Sequence, residues 1–310
     1  MSCRLFDFIY RWSAVVASLM AIFGIQFPAQ ASQPVVVAVD GTLCDLTRTL
    51  AGTLVDVTCL IPPGGDPHGY RLKPSDRQAL SKSALVLHVG FDLTPAVKKI
   101  TSPGSVVAVG ELALPFYKGN DPHIWHDPAN STALLKVSAK YLSILLPIDK
   151  RATLAERFAK AESVMDDLGS WAFLQFSKLP SSQRVLVTDH QSYSHIASRY
   201  GINEISVLDS FTTSGALKPS SLMAITKAVK ASGAKTIFTS YLPANKTLKR
   251  ISTSTGLPIS STPLYGEGIA PGQSAISTAV QNICTILKGQ GQTCDQASAK
   301  ILVNRWVGIH

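Results

Sequence analysis

Cysteine is sparse in this chain, with five in 310 residues and no C-x-x-C pair. The usual spacing of a cysteine zinc site is therefore missing. There is no H-E-x-x-H, no G-x-S-x-G, no P-loop and no G-x-G-x-x-G, so the familiar hydrolase, nucleotide and dinucleotide signatures are excluded. Glycine and proline are not in excess, and no low-complexity tract or short-period repeat is visible. After residue 31 no segment is long and apolar enough to cross a bilayer. Charged residues make up 16% and hydrophobic residues 45%, enough over this length for two ordinary domains with their own cores.

The start of the chain has the one strong apolar run. Arg4 and Arg11 precede or flank it, it extends from Trp12 to Phe27, and Ala29-Gln30-Ala31 puts small residues at cleavage positions. This pattern is a secretory signal peptide, residues 1–31, cut after Ala31. A membrane anchor is the competing reading, but the run is short for a span. Cys3 lies ahead of the run, where it is not placed to become a lipoprotein cysteine.

Export leaves Cys44, Cys59, Cys284 and Cys294, an even number for an oxidising compartment. Sequence proximity pairs Cys44 with Cys59 and Cys284 with Cys294, each bridge being worth about 2–3 kcal/mol. The formal charge is +9, or +8 once Arg4, Arg11 and Asp7 are removed. The basic residues look scattered and do not interleave with aromatics, which points to a solvated basic surface and away from nucleic acid. An acidic partner or a membrane surface stays open.

The order of elements is α/β. The run Val35–Val39 reads as a buried strand, followed by a helix over Leu43–Leu54 and a strand over Val55–Ile61. Ser75 is placed to cap a helix through Ser83, and Ala84–Val89 and Val106–Val109 are further short strands. Asp127 is placed to cap a helix to Leu146. Apolar residues at spacings of three and four then predict one long helix from about Asp149 to Leu179, with Gly169 its weak spot. Beyond it the alternation resumes: strands at Arg184–Thr188, Ile205–Leu208, Thr236–Thr239 and Pro258–Ser261, and helices at Ser192–Tyr200, Pro219–Ala231, Asn245–Thr255 and Ala275–Leu287. The expected architecture is two α/β lobes with mainly parallel sheets, 32–148 and 181–310, joined by a rigid helix over 149–180.

Seven histidines are the chemical candidates. His68 and His123 each follow an Asp-Pro pair, and His190 follows Asp189 just past a strand. Ligands in open α/β sheets bind at the carboxyl ends of strands, and neutral imidazole suits a borderline ion such as zinc. Singly, each would be an ordinary polar loop residue; the shared D-P-H arrangement favours one metal site built from all three. His88 reads as a core or rim residue, His126 as exposed or supporting, His195 as facing away from His190, and His310 is terminal. Glu267 is the best placed base if the site were hydrolytic, although a structural role in a flexible loop suits it better.

At Asp66-Pro67-His68-Gly69-Tyr70 with Pro74-Ser75-Asp76, at Asp121-Pro122-His123-Ile124-Trp125 with Asp127-Pro128, and at His190 with Arg199-Tyr200-Gly201, the chain resembles the zinc/manganese-type (cluster A-I) substrate-binding proteins of bacterial ABC transporters. The resemblance covers nearly all of the chain after the signal. It implies two α/β lobes joined by one long helix, with the metal held between them by His68 and His123 from the first lobe and His190 from the second. It further implies a non-enzymatic, monomeric periplasmic receptor that passes Zn²⁺ to a permease in the inner membrane, with Mn²⁺ as the alternative cargo. Manganese-preferring members often carry a carboxylate where His190 stands, and nitrogen in place of oxygen favours zinc. The aspartate that the family often supplies before its last helix is missing from Gly272-Gln273-Ser274-Ala275, leaving the fourth position to water or Glu267. The His-rich loop of many zinc members is also missing, since Lys118-Gly119-Asn120 runs straight into Asp121. After His190 the usual acidic-small-aromatic pattern is replaced by Gln191-Ser192-Tyr193-Ser194-His195, which keeps the aromatic position. Because imidazoles bind only when neutral, affinity is expected to fall as pH drops through about 6.5.

Overall fold

The structure, a computed structural model, describes residues 33–208 and 219–309. The expected signal peptide, residues 1–31, and His310 lie outside the described residues.

The first half forms a parallel four-stranded sheet. β1 (Val35–Ala38), β2 (Asp56–Cys59), β3 (Leu85–His88) and β4 (Ser105–Ala108) lie in the order β2-β1-β3-β4. β1 sits between two neighbours, and its Val36, Val37 and Ala38 are completely buried, as a continuous β-branched run requires. α1 (Gly41–Ala51) connects β1 to β2, α2 (Pro74–Leu80) connects β2 to β3, and α3 (Val109–Ala113) follows β4. α2 begins one residue before the expected cap: Lys73 is its cap position, and the Asp76 carboxylate turns back to accept the Lys73 N–H at 2.7 Å. α4 (Pro128–Leu145) is capped by Asp127 as expected, its carboxylate accepting the Ala129 N–H.

α5 (Ile148–Ser177) is the long helix, 30 residues and about 45 Å at the standard rise. Leu154, Ala161, Val164, Met165, Leu168, Trp171, Ala172 and Phe176 form its buried stripe. Gly169 does not break it. The Gly169 carbonyl accepts the Tyr200 hydroxyl, which ties this turn of the helix to the later helix Ser194–Tyr200.

β5 (Val185–His190) and β6 (Asn203–Leu208) pair in parallel, joined through α6 (Ser194–Tyr200). The strands expected over 236–239 and 258–261 shrink to single parallel bridges, Val187 to Ile237 and Ile237 to Ile259. α7 (Pro219–Ala231) and α8 (Lys246–Thr255) cover one face of this small sheet, where Val229, Leu248 and Ile251 share a core with Val185, Val187 and Val207. Ala275–Leu287 does not close the lobe. α9 (Ala275–Gly289) is followed by α10 (Gln296–Val307), whose three buried residues, Ala299, Leu302 and Trp306, make too sparse a periodic signal to be read from sequence. α10 packs on α5 and α9, and the Trp306 indole donates to Asp45 of α1 at 3.0 Å.

Both expected disulfides are present, Cys44–Cys59 and Cys284–Cys294. The first joins α1 to the end of β2 across a sequence separation of 15, a loop for which chain entropy gives about 3 kcal/mol. Among the described residues no helix is long and apolar enough to cross a membrane.

Candidate metal centre

Each of the three histidines is positioned by an aspartate close in sequence. In Asp66-Pro67-His68 the Asp66 carboxylate accepts the His68 N–H at 2.8 Å. In Asp121-Pro122-His123 the same bond is 3.0 Å, and Asp121 also holds the His123 ring at Nδ1, 2.8 Å away. The repeated D-P-H is thus one local device: proline fixes the turn and the carboxylate folds back over it. Asp189 accepts the His190 N–H at 3.0 Å and meets the His190 Nδ1 at 2.9 Å. His190 itself is the last residue of β5, not a loop residue beyond it. Tyr70 explains the rest of the first motif. Its hydroxyl spans Leu60, beyond the end of β2, and Asp76 at the start of α2, fixing the base of the His68 loop.

With Nδ1 of His123 and His190 tied to carboxylates, Nε2 of each ring points inward, the arrangement by which a supporting carboxylate orients a ligand. His68 Nε2 and His123 Nε2 approach to 3.2 Å. All three rings converge on Glu267. Its Oε2 lies 3.0 Å from His68 Nε2 and 3.3 Å from His123 Nε2, and its Oε1 makes a very short contact with His190 Nε2. His123 and His190 are fully buried and Glu267 is 8% exposed. The donor atoms of His68, His123 and Glu267 lie within 4.8 Å of one another, a span that one ion can bridge.

Burial disfavours charge here, but the pairing overrides it. Burial alone would lower the His190 pKa, yet Asp189 and Glu267 lift it to about 10. His123 is raised in the same way, against burial, by Asp121 and Glu267. Burial would raise the Glu267 pKa, but the three imidazoles hold it well below the usual carboxylate range. Asp121 is pulled down to about 2, against burial, mainly by His123 with help from Ser194.

Glu267 is therefore not a flexible loop carboxylate. Gly266 before it presses so close to Ser192 that a Cβ would sit 2.8 Å from the hydroxyl oxygen, and Gly268 after it has φ +139°, a backbone that suits glycine. A clue was present in the sequence, since Glu267 is the only acidic residue between Asp209 and Asp295. His126 is half-buried, not exposed, and its Nε2 lies 2.9 Å from the Gly266 carbonyl. Burial pushes its pKa down to about 4, so the neutral ring donates there and pins the Glu267 loop. His88 is the last residue of β3. His195 points away from the ligand cluster but reaches the segment behind it: its Nε2 lies 3.1 Å from the Asp121 carbonyl. Ser194 donates to the Asp121 carboxylate. Asp121 thus holds His123 with one oxygen and the start of α6 with the other, coupling the two halves of the site. Asp121→Asn is expected to weaken metal binding by about 10–100-fold with the fold intact, read by competition with a chelator; unchanged affinity would remove this role.

Two parallel sheets, a 30-residue helix packed on α1, α4, α9 and α10, and a buried three-imidazole, one-carboxylate cluster from both halves define a two-lobed metal-ion receptor. Residues 36–289 match the family described as ZnuA, zinc-uptake complex component A, periplasmic, and the chain belongs to that family. A metal ABC transporter substrate-binding lipoprotein of Lactococcus lactis is 25% identical over 275 residues, 82% of this chain and 87% of the relative. The manganese ABC transporter substrate-binding lipoprotein PsaA of Streptococcus pneumoniae is 24% identical over 241 residues, 72% and 77% of the two chains. Among solved structures, the periplasmic zinc-binding protein TroA of Treponema pallidum matches with a TM-score of 0.77 at 22% identity, covering 84% of this chain and 99% of its own, a likeness of fold. The protein is a metal-binding, substrate-binding component of an ABC transporter, a receptor and not an enzyme, whose partner is a membrane permease.

Proposed function

We propose that this receptor carries Zn²⁺, held by His68, His123, His190 and Glu267, and delivers it to a permease in the inner membrane. The convergence of three imidazole Nε2 atoms on one carboxylate supports this reading. Three nitrogens and one carboxylate make a closed, four-donor set of the kind zinc accepts, and the high nitrogen content favours zinc over the harder manganese ion. Glu267 replaces water in the fourth position, which the sequence left open. The same reading takes the chain to act as a periplasmic monomer after cleavage behind Ala31. It has lobes 32–148 and 181–310, and the 149–180 helix limits their relative motion.

Manganese is the second reading, because Glu267 could offer both oxygens and harden the site. Titration of the metal-stripped protein with zinc, with manganese as competitor, separates the two. One zinc per chain, not displaced by excess manganese, is the expected result. Displacement by manganese would change the cargo, and stoichiometric binding of neither ion would end the proposal.

A further inference from the structure

The positive charge of this protein is not spread over its surface. From residue 33 onward there are 27 Lys and Arg against 19 Asp and Glu, a net +8. Residues 219–266 contain six Lys and Arg and no Asp or Glu, so this 48-residue stretch holds +6 of that total. The rest of the chain is close to neutral. Five of these six basic residues lie on α7 and α8.

All six residues, Lys227, Lys230, Lys235, Lys246, Lys249 and Arg250, are exposed. On α7 the core side is Leu222, Ile225 and Val229, which leaves Lys227 and Lys230 on the outer side. On α8 the core side is Leu248 and Ile251, which leaves Lys246 outward, one turn before Lys249 and Arg250. The two helices pack against each other over the same core, so their basic faces form one continuous surface. None of the six takes part in an ion pair among the described residues. On α5 and α10, by contrast, Lys160 pairs with Glu156 and Arg305 with Asp167. Met223, 70% exposed, lies one turn before Lys227 on the outer side of α7.

We propose that this α7–α8 face rests on a membrane surface, with anionic phospholipid headgroups as its ligand. A rigid face of unpaired lysines and arginine with an exposed methionine among them has the chemistry that adsorbs to anionic headgroups. A receptor of this family must work beside a transporter embedded in such a membrane. Weak adsorption would confine its search for the permease to two dimensions. The inference rests on membership of the transporter family and is independent of which ion the site carries.

The test is co-sedimentation of the purified protein with vesicles of phosphatidylcholine alone and of phosphatidylcholine mixed equally with phosphatidylglycerol. Binding is expected only to the anionic vesicles at low ionic strength, and it should be lost in high salt. The triple variant Lys227→Glu, Lys246→Glu, Lys249→Glu should partition at least about tenfold more weakly. The double variant Lys150→Glu, Lys160→Glu, on the exposed side of α5, should bind like the unaltered protein. Metal titration and circular dichroism of the same samples report the metal site and the fold separately. The proposal is overturned if the unaltered protein ignores anionic vesicles, as it would if an acidic protein were the true occupant. It is equally overturned if the triple variant binds undiminished, or if both variants weaken alike, which would make the effect one of net charge.

Discussion

Glu267→Ala is expected to abolish tight metal binding and to destabilise the metal-stripped protein. The two effects share one cause. The carboxylate contacts three imidazoles at once, two of them fully buried. Removing one partner from a buried ionic cluster costs about 3–5 kcal/mol. The low end, about 3 kcal/mol, is expected here, because the imidazoles can shed their protons while Asp121 and Asp189 continue to hold two of the rings. Glu267→Gln keeps the shape without the charge and should fall between the two. Denaturant unfolding after chelation gives the stability change, and zinc titration gives the affinity. An Ala variant that binds zinc normally and unfolds at the same denaturant concentration would remove Glu267 from the site.

Metal uptake by this site is expected to release protons well above the ordinary histidine range. In the metal-stripped protein the His190 pKa is raised to about 10, and that of His123 is also raised. An ion must displace protons from these rings, so affinity should keep climbing with pH toward about 10, well past the 6.5 of an unperturbed imidazole. The slope should be about tenfold per pH unit for each proton displaced. Calorimetry near pH 8 in buffers of different ionisation enthalpy should record at least about one proton released per ion. No release, with affinity flat across that range, would contradict the cluster's electrostatics. The stability of the stripped protein should move the opposite way. A folded pKa above the unfolded value means that the folded state binds more protons. The His190 contribution is therefore full below about 6.5 and is lost as pH rises through about 10. Bound metal should remove that loss.

Much of this protein was legible before any tertiary contact was known, and the legible parts are local. Most of the Val35–Val39 run, Val35–Ala38, becomes a strand, as short β-branched runs favour. The three-and-four spacing from Leu154 to Phe176 becomes a single helix. Asp66-Pro67-His68 and Asp121-Pro122-His123 look alike because each carboxylate bonds the backbone two residues on, a relation written in adjacent positions. The cysteine pairs lie 15 and 10 residues apart, near enough for proximity to select partners.

Only the tertiary structure decided what depends on distant segments meeting. Glu267 is 144 residues from His123; the sequence offers it as one candidate for a fourth position, but only the fold makes it the centre on which three imidazoles close. Asp121 reaches Ser194 across 73 residues, and His126 reaches Gly266 across 140, so these two contacts carry no local signature. The same holds for surface charge: lysines on α7 and α8 look dispersed along the chain and become one face because both helices bury their other sides in one core. The chain alone points to most of the helices and buried strands and to the three histidine loops. Packing specifies which carboxylate meets them and where the charge collects, because those depend on how loops and helices are carried past one another.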